Sequence, residues 1–164
     1  MLDATVAGAS ANSYLTVEAA DAIASTDLGL NAKEWLAATL DVKEAALLRA
    51  TEEVDAEIGR VVDPGTGTQA LLFPRSVDYV GASWVLPSRL QRATYLQAAY
   101  LLKNATVLDQ AASFRARGLS NFSNPDGTSG QVSDDPSFGA LHPRAKALLG
   151  EFTEGSVVGI IIPT

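Results

Sequence analysis

The run from Asp41 to Ile58 constrains the fold most, because Leu47, Leu48, Ala50, Val54 and Ile58 recur close to the ~3.6-residue period of an α-helix. Such a stripe predicts a helix with one buried face, and a second long element has to cover it. Its other face, with Lys43, Arg49, Glu52, Glu53, Asp55 and Glu57, reads as solvated and mainly acidic. Asp41 with Glu44 three residues on resembles a capping box, and Asp63-Pro64-Gly65-Thr66-Gly67 ends the pattern in a turn. The covering element opens at Pro87, with Ser88 near its cap. It carries Leu90, Ala93, Leu96, Ala99, Tyr100, Leu102 and Val107, and runs to about Phe114. Leu47, Val54 and Ile58 are expected to face Leu96, Ala99 and Tyr100. Ala98, Ala99, Ala111 and Ala112 are small enough for another helix to approach closely, which favours a bundle.

Shorter elements fill the rest of the chain. Residues 1–13, rich in Ala, Gly and Ser, read as extended or irregular. Thr16 is a good N-cap for a helix of about three turns through Val17, Ala20 and Ile23, with Gly29 as its stop. Asn31 can cap a brief helix through Trp35, a core residue, and Leu36. Residues 69–75 form an extended segment anchored on Phe73, and 76–86 are irregular, with Tyr79 and Trp84 as packing residues. The turn-rich stretch 118–140 is long for a compact domain and reads as an arm or loop, with Asn124-Pro125-Asp126-Gly127 as a possible hairpin tip. Pro143 opens a last short helix with Ala145, Leu148, Leu149 and Phe152, and 155–164 is an apolar, β-branched strand candidate. The expected fold is therefore mainly α: a small helical bundle with two long helices, a long Gly/Ser-rich loop or hairpin arm, and an extended C-terminal strand. It makes one domain, organised as a bundle core (1–114), the arm (115–142), and a short helix with its tail (143–164).

Composition narrows the function classes. Apolar residues make up 47% and charged residues 19% of the chain, which suits a packed domain rather than a disordered one. The absence of cysteine excludes disulfide frameworks, thiolate metal sites and cysteine nucleophiles. The longest strongly apolar run, Val157 to Ile162, is far short of the ~20 residues a membrane helix needs, and no secretory signal pattern opens the chain. A soluble protein is expected. Residues 1–60 hold 11 acids against 4 bases and residues 61–164 hold 8 against 8, so the net charge of −7 sits in the first third. That balance opposes sequence-independent binding of a phosphate backbone.

Converging catalytic groups are missing from the pattern. His142 is the sole histidine and, directly before Pro143, reads as a helix-opening or packing residue rather than a ligand. There is no phosphate-binding loop, no HxxxH and no nucleophile elbow. Glu52 and Glu53 point about 100° apart on a helix, and the spacing of Asp126 to Asp134-Asp135 is not that of a calcium loop. No enzyme activity, metal or cofactor is expected. Arg89 and Arg92, at i and i+3 with Tyr95 nearby, make a basic-aromatic cluster that could stack single-stranded bases. Surface ion pairing is the competing reading of the same arginines.

Several ordered pieces carry a resemblance: Asn12-Ser13-Tyr14-Leu15-Thr16-Val17-Glu18-Ala19-Ala20-Asp21-Ala22, then Trp35, Lys43-Glu44-Ala45-Ala46-Leu47-Leu48-Arg49-Ala50-Thr51, Gln69-Ala70-Leu71-Leu72-Phe73-Pro74-Arg75, and Leu86-Pro87 opening a helix with Arg92-Ala93. Over about residues 12 to 110 the chain resembles a family of small phage neck proteins, whose members are labelled head-tail connector (adaptor) proteins or DnaT-like single-stranded-DNA-binding proteins. The resemblance implies a structural virion subunit that assembles as a ring, usually twelvefold. That ring docks on the portal and meets a stopper or tail protein, and DNA passes through its lumen without tight binding. It implies a place in the virion neck after assembly in the host cytoplasm, with single-stranded-DNA binding as the alternative. The expected contact residues with a neighbour or the portal are Phe122, Asp126, Gly127, Phe138, Val157, Val158, Ile160, Ile161 and Ile162. Arg89, Arg92 and Tyr95 belong to the alternative.

Overall fold

A computed structural model of the chain describes residues 1–29, 32–59, 64–116, 121–123, 129–131 and 141–153, and within these the side chains up to residue 104 and from 141 to 153. The fold is mainly helical. Helix α1 (Val17–Thr26) starts where Thr16 Oγ1 accepts the amide of Ala19 at 3.2 Å, as its capping position predicts. It stops at Asp27, whose carboxylate accepts the Gly29 amide at 3.1 Å. Helix α2 (Ala32–Ala37) is one short stretch that delivers the fully buried Trp35.

Helix α3 (Leu40–Ile58) begins one residue before the expected cap. Thr39 occupies the N-cap position and makes no side-chain cap bond, so Asp41 lies in the first turn and the capping box does not form. Asp41 still sits where the helix dipole favours a carboxylate. Gly59 ends the helix at φ 73°, in the left-handed region that favours glycine.

Helix α4 (Ser88–Ala116) spans the molecule, and α5 (Pro143–Leu149) closes it. The α3 and α4 faces pack as expected: Leu47, Val54 and Ile58 are buried with Leu96 and Ala99, and Tyr100 packs against the same cluster. Helix α5 lies on α4 and also touches α3, adding Leu141, Ala145 and Leu149 to that core. Two short hairpins complete the described fold: β1 (Tyr79–Val80) with β2 (Ser83–Trp84), and β3 (Asn121–Ser123) with β4 (Ser129–Gln131). Of the span expected to be irregular, residues 85–86 are irregular and 76–84 are regular, a 3₁₀ turn (Ser76–Asp78) followed by a hairpin whose Gly81-Ala82 turn has both φ values positive, at 57° and 71°. That is the primed turn a two-residue hairpin requires.

The lead is more ordered than its composition suggests. Asp3 and Asn12 close residues 3–12 into a loop, through Asn12 N–H to the Asp3 carbonyl (2.8 Å) and Asp3 N–H to Asn12 Oδ1 (2.7 Å). Gly8 then accepts the Ala70 amide at 3.1 Å, fastening the loop to the segment that ends in the cis peptide Phe73-Pro74. No helix among the described residues is long and apolar enough to cross a membrane.

Candidate functional site

The residues that carried the resemblance are mostly structural. Tyr14 is buried at the junction of the lead, α3 and the 69–75 segment: its hydroxyl donates to Asp55 Oδ1 and accepts the Phe73 amide at 3.2 Å. Asp55 Oδ2 accepts the Leu72 amide at 3.4 Å. Burial pushes the Asp55 carboxyl above its ordinary value against these two hydrogen bonds, and burial with the neighbouring carboxylate pushes the Tyr14 phenol far up. Gln69 stitches its own loop, donating Nε2 to the carbonyls of Leu71, Leu72 and Pro74 at 2.8, 3.1 and 3.0 Å. Trp35 Nε1 and Lys43 Nζ both donate to Asp21 Oδ1, at 2.7 and 2.8 Å.

Three residues assigned to the solvated face of α3 therefore have inward duties. Lys43 is buried against Trp35, Asp55 holds Tyr14, and Glu53 Oε2 accepts Nε2 of the fully buried Gln97 at 2.6 Å. Gln97 uses its carbonyl to accept the His142 amide at 2.6 Å, so a single amide side chain joins α3, α4 and the opening of α5. His142 caps α5, its Nδ1 accepting the Arg144 amide at 3.3 Å, in keeping with a helix-opening role.

The basic-aromatic cluster expected for DNA is not assembled. Tyr95 is fully buried, edge-on to Trp35 with centroids 5.9 Å apart, and its hydroxyl donates to Asp27 at 3.4 Å. Although the i+3 spacing sets Tyr95 near Arg92 on the helix, its ring is packed inward against Trp35, so no base can stack on it. Arg89 pairs with Glu151 at 2.7 Å, whereas Arg92 is exposed. Of the expected assembly residues, Phe122 lies in β3 opposite Gly130. Asp126, Gly127, Phe138, Val157, Val158, Ile160, Ile161 and Ile162 lie outside the described residues.

Two other features present chemistry at the surface. An open cleft of about 510 Å³ runs between α4 and the start of α5, lined by Asp27, Leu96, Tyr100, Lys103, His142 and Arg144. Tyr100 and His142 meet edge-to-face there at 5.4 Å. Burial and the Arg144 charge push the His142 imidazole below its ordinary value, so it is neutral at neutral pH. Among the described residues neither Lys103 nor Arg144 has an ion-pair partner. The second feature is apolar: Leu28, Leu36, Leu40 and Val42 stand exposed around α2 and the start of α3, and Val77, Tyr79, Val80 and Val85 on and beside the β1–β2 hairpin. Among the described residues no group of three or more His, Asp or Glu is placed to hold a metal ion.

The described residues make a small, mainly helical fold stitched by buried polar links. The chain belongs to the family described as "Putative DnaT-like ssDNA binding protein", which it matches over residues 2–117. No curated protein and no solved structure matches it.

Proposed function

We propose that the protein is a non-enzymatic head-tail connector subunit of a tailed phage, one copy of a ring that sits below the portal in the virion neck and gives passage to DNA. The observation that carries this reading is the exposed apolar surface at residues 28–42 and 77–85 on a body of net charge −7. Large β-branched and aromatic side chains left in water favour protein partners. An acidic body suits a channel along which DNA must slide. The partners in this reading are further copies of the chain, the portal, and a stopper or tail protein. Light scattering on the purified protein, alone and mixed with its portal, tests it: a ring mass in either sample is expected, and a monomer in both overturns it.

Single-stranded-DNA binding is the second reading, and the family description supports it more directly than it supports a ring. Its site would be the cleft with Tyr100, Lys103, His142 and Arg144 in place of Arg89, Arg92 and Tyr95. Cations beside an aromatic ring suit a stacked, phosphate-bearing strand, although Asp27 in the same lining opposes it. Micromolar binding of an oligonucleotide by a protein that stays monomeric with the portal would put this reading first.

A further inference from the structure

We propose that copies of the chain meet head to tail, the outer acidic stripe of α3 on one copy seating along the cation-flanked cleft between α4 and α5 on the next. The inference rests on the ring reading and names the contact between its subunits. On α3, Asp41, Glu44, Leu48 and Glu52 recur at i, i+3, i+7 and i+11, on the side turned away from the buried Leu47, Val54 and Ile58. On α4, Arg92, Leu96, Tyr100 and Lys103 recur at i, i+4, i+8 and i+11, and Arg144 lines the same cleft from α5. Asp41, Glu52, Arg92, Lys103 and Arg144 are exposed and Glu44 is half-buried, and among the described residues none of the six has an ion-pair partner.

The stripes match in length as well as in charge. Asp41 to Glu52 and Arg92 to Lys103 are the same number of residues apart, and each pair spans ~16 Å along its helix. Both stripes have an apolar centre, the half-buried Leu48 on one and the Tyr100 ring, edge-on to His142 at 5.4 Å, on the other. They also lie on different faces of the bundle. Gln97, which reaches Glu53 of α3, is about 100° round α4 from Leu96, so the cation stripe is turned aside from α3. A surface that meets a different surface on its neighbour makes a heterologous contact, which generates a ring where the rotation closes. Repulsion between bodies of net charge −7 is screened beyond ~8 Å at physiological salt, whereas opposed charges in contact are screened far less. The contact uses none of the exposed apolar side chains at 28–42 and 77–85, which stay available to the portal and tail.

Disulfide trapping between copies tests the contact without the portal, and the lack of cysteine makes it clean. Glu52→Cys is mixed with Arg92→Cys and, separately, with Lys103→Cys, which covers both directions of pairing, and each mixture is oxidised. One mixture is expected to crosslink roughly tenfold faster than a control of Glu52→Cys with Ser83→Cys on the hairpin. Neither mixture exceeding that control overturns the proposal, and oligothymidylate binding that needs Lys103 and Arg144 would then give the cleft to a strand. Light scattering with the portal supplies the second arm. Reversal of Arg92, Lys103 and Arg144 to Glu, or of Asp41, Glu44 and Glu52 to Lys, is expected to abolish ring mass. Equimolar mixing of the two reversed chains sets opposite charges against each other again, and ring mass is expected to return, which also shows that both chains fold. A ring formed by either reversed chain alone overturns the proposal and leaves the ring reading standing. A crosslink at Glu52 beside a parent that stays monomeric with the portal overturns the ring reading and leaves the contact as a pairwise one.

Discussion

Tyr14 and Asp55 show how single side chains fix this architecture, since one hydroxyl and one carboxylate join the lead, α3 and the Phe73 segment. Tyr14→Phe leaves the Phe73 amide without an acceptor and Asp55 short of a donor, and is expected to cost ~1–3 kcal/mol. Asp55→Ala removes the other half. A double-mutant cycle by urea unfolding should show coupling of ~0.5–3 kcal/mol, and simple additivity would mean the two residues act separately. Their pH signatures differ from that of Asp21. Burial raises the Asp55 pKa, so the native state holds its proton more tightly than the unfolded chain, and this residue's contribution to stability falls as pH rises from 3.8 through the folded value. For Asp21, burial raises the pKa, but the hydrogen bonds from Lys43 and Trp35 and the Lys43 charge outweigh it and lower the carboxyl overall. Its contribution is therefore present above 3.8 and lost as pH falls through the folded value. Asp21→Asn should lower the urea midpoint at neutral pH, with the gap from the parent closing as pH falls below 3.8 through the lowered folded value. A gap that persists there would assign the loss to packing around Trp35 instead.

At the scale of elements, the α3–α4 pair holds the bundle, and Leu96, 3% exposed between them, is its sensitive point. Leu96→Ala is expected to cost ~2–5 kcal/mol in a denaturant melt. Glu53→Ala should cost ~1–3 kcal/mol, because it strands the buried Gln97 amide that also positions α5. Glu52→Ala next to it, fully on the outer face, should stay within ~0.5 kcal/mol. Equal midpoints for the Glu52 and Glu53 variants would dissolve the Gln97 link. Apolar periodicity made the buried faces of α3 and α4 legible in advance, since burial of Leu47, Val54, Ile58 and Leu96 depends on spacing alone. Polar side chains were not legible in the same way. Glu53 and Asp55 look like solvated acids until α4 and the Phe73 segment, 44 and 17 residues away, bring Gln97 and Leu72 to them. Tyr95 failed for the complementary reason: a tyrosine beside an arginine has the same spacing whether its ring stacks on a base or on Trp35. The ordered hairpin at 79–84 was hidden because Ala82 occupies a left-handed turn position that residue type does not announce.

For the whole molecule the decisive property is charge, because the acidic excess lies in residues 1–60, which build α1, α2 and α3. A strand approaching the cleft meets Lys103 and Arg144, but it also meets Asp27 and the field of the whole acidic body. At physiological salt the affinity for an oligothymidylate is therefore expected to be no tighter than ~10⁻⁴ M, at the weak end of non-specific binding. Neutralising so few phosphates should also give a shallow salt slope, near −0.7 for each phosphate contacted. Fluorescence anisotropy across a salt series measures both quantities. The paired variant Lys103→Ala with Arg144→Ala should then change little, since there is little to lose. Micromolar binding by the parent, steep in salt and abolished in that variant while Arg92→Ala binds normally, would instead place a strand in the cleft. It would make DNA binding, rather than passage through a ring, the work of this fold.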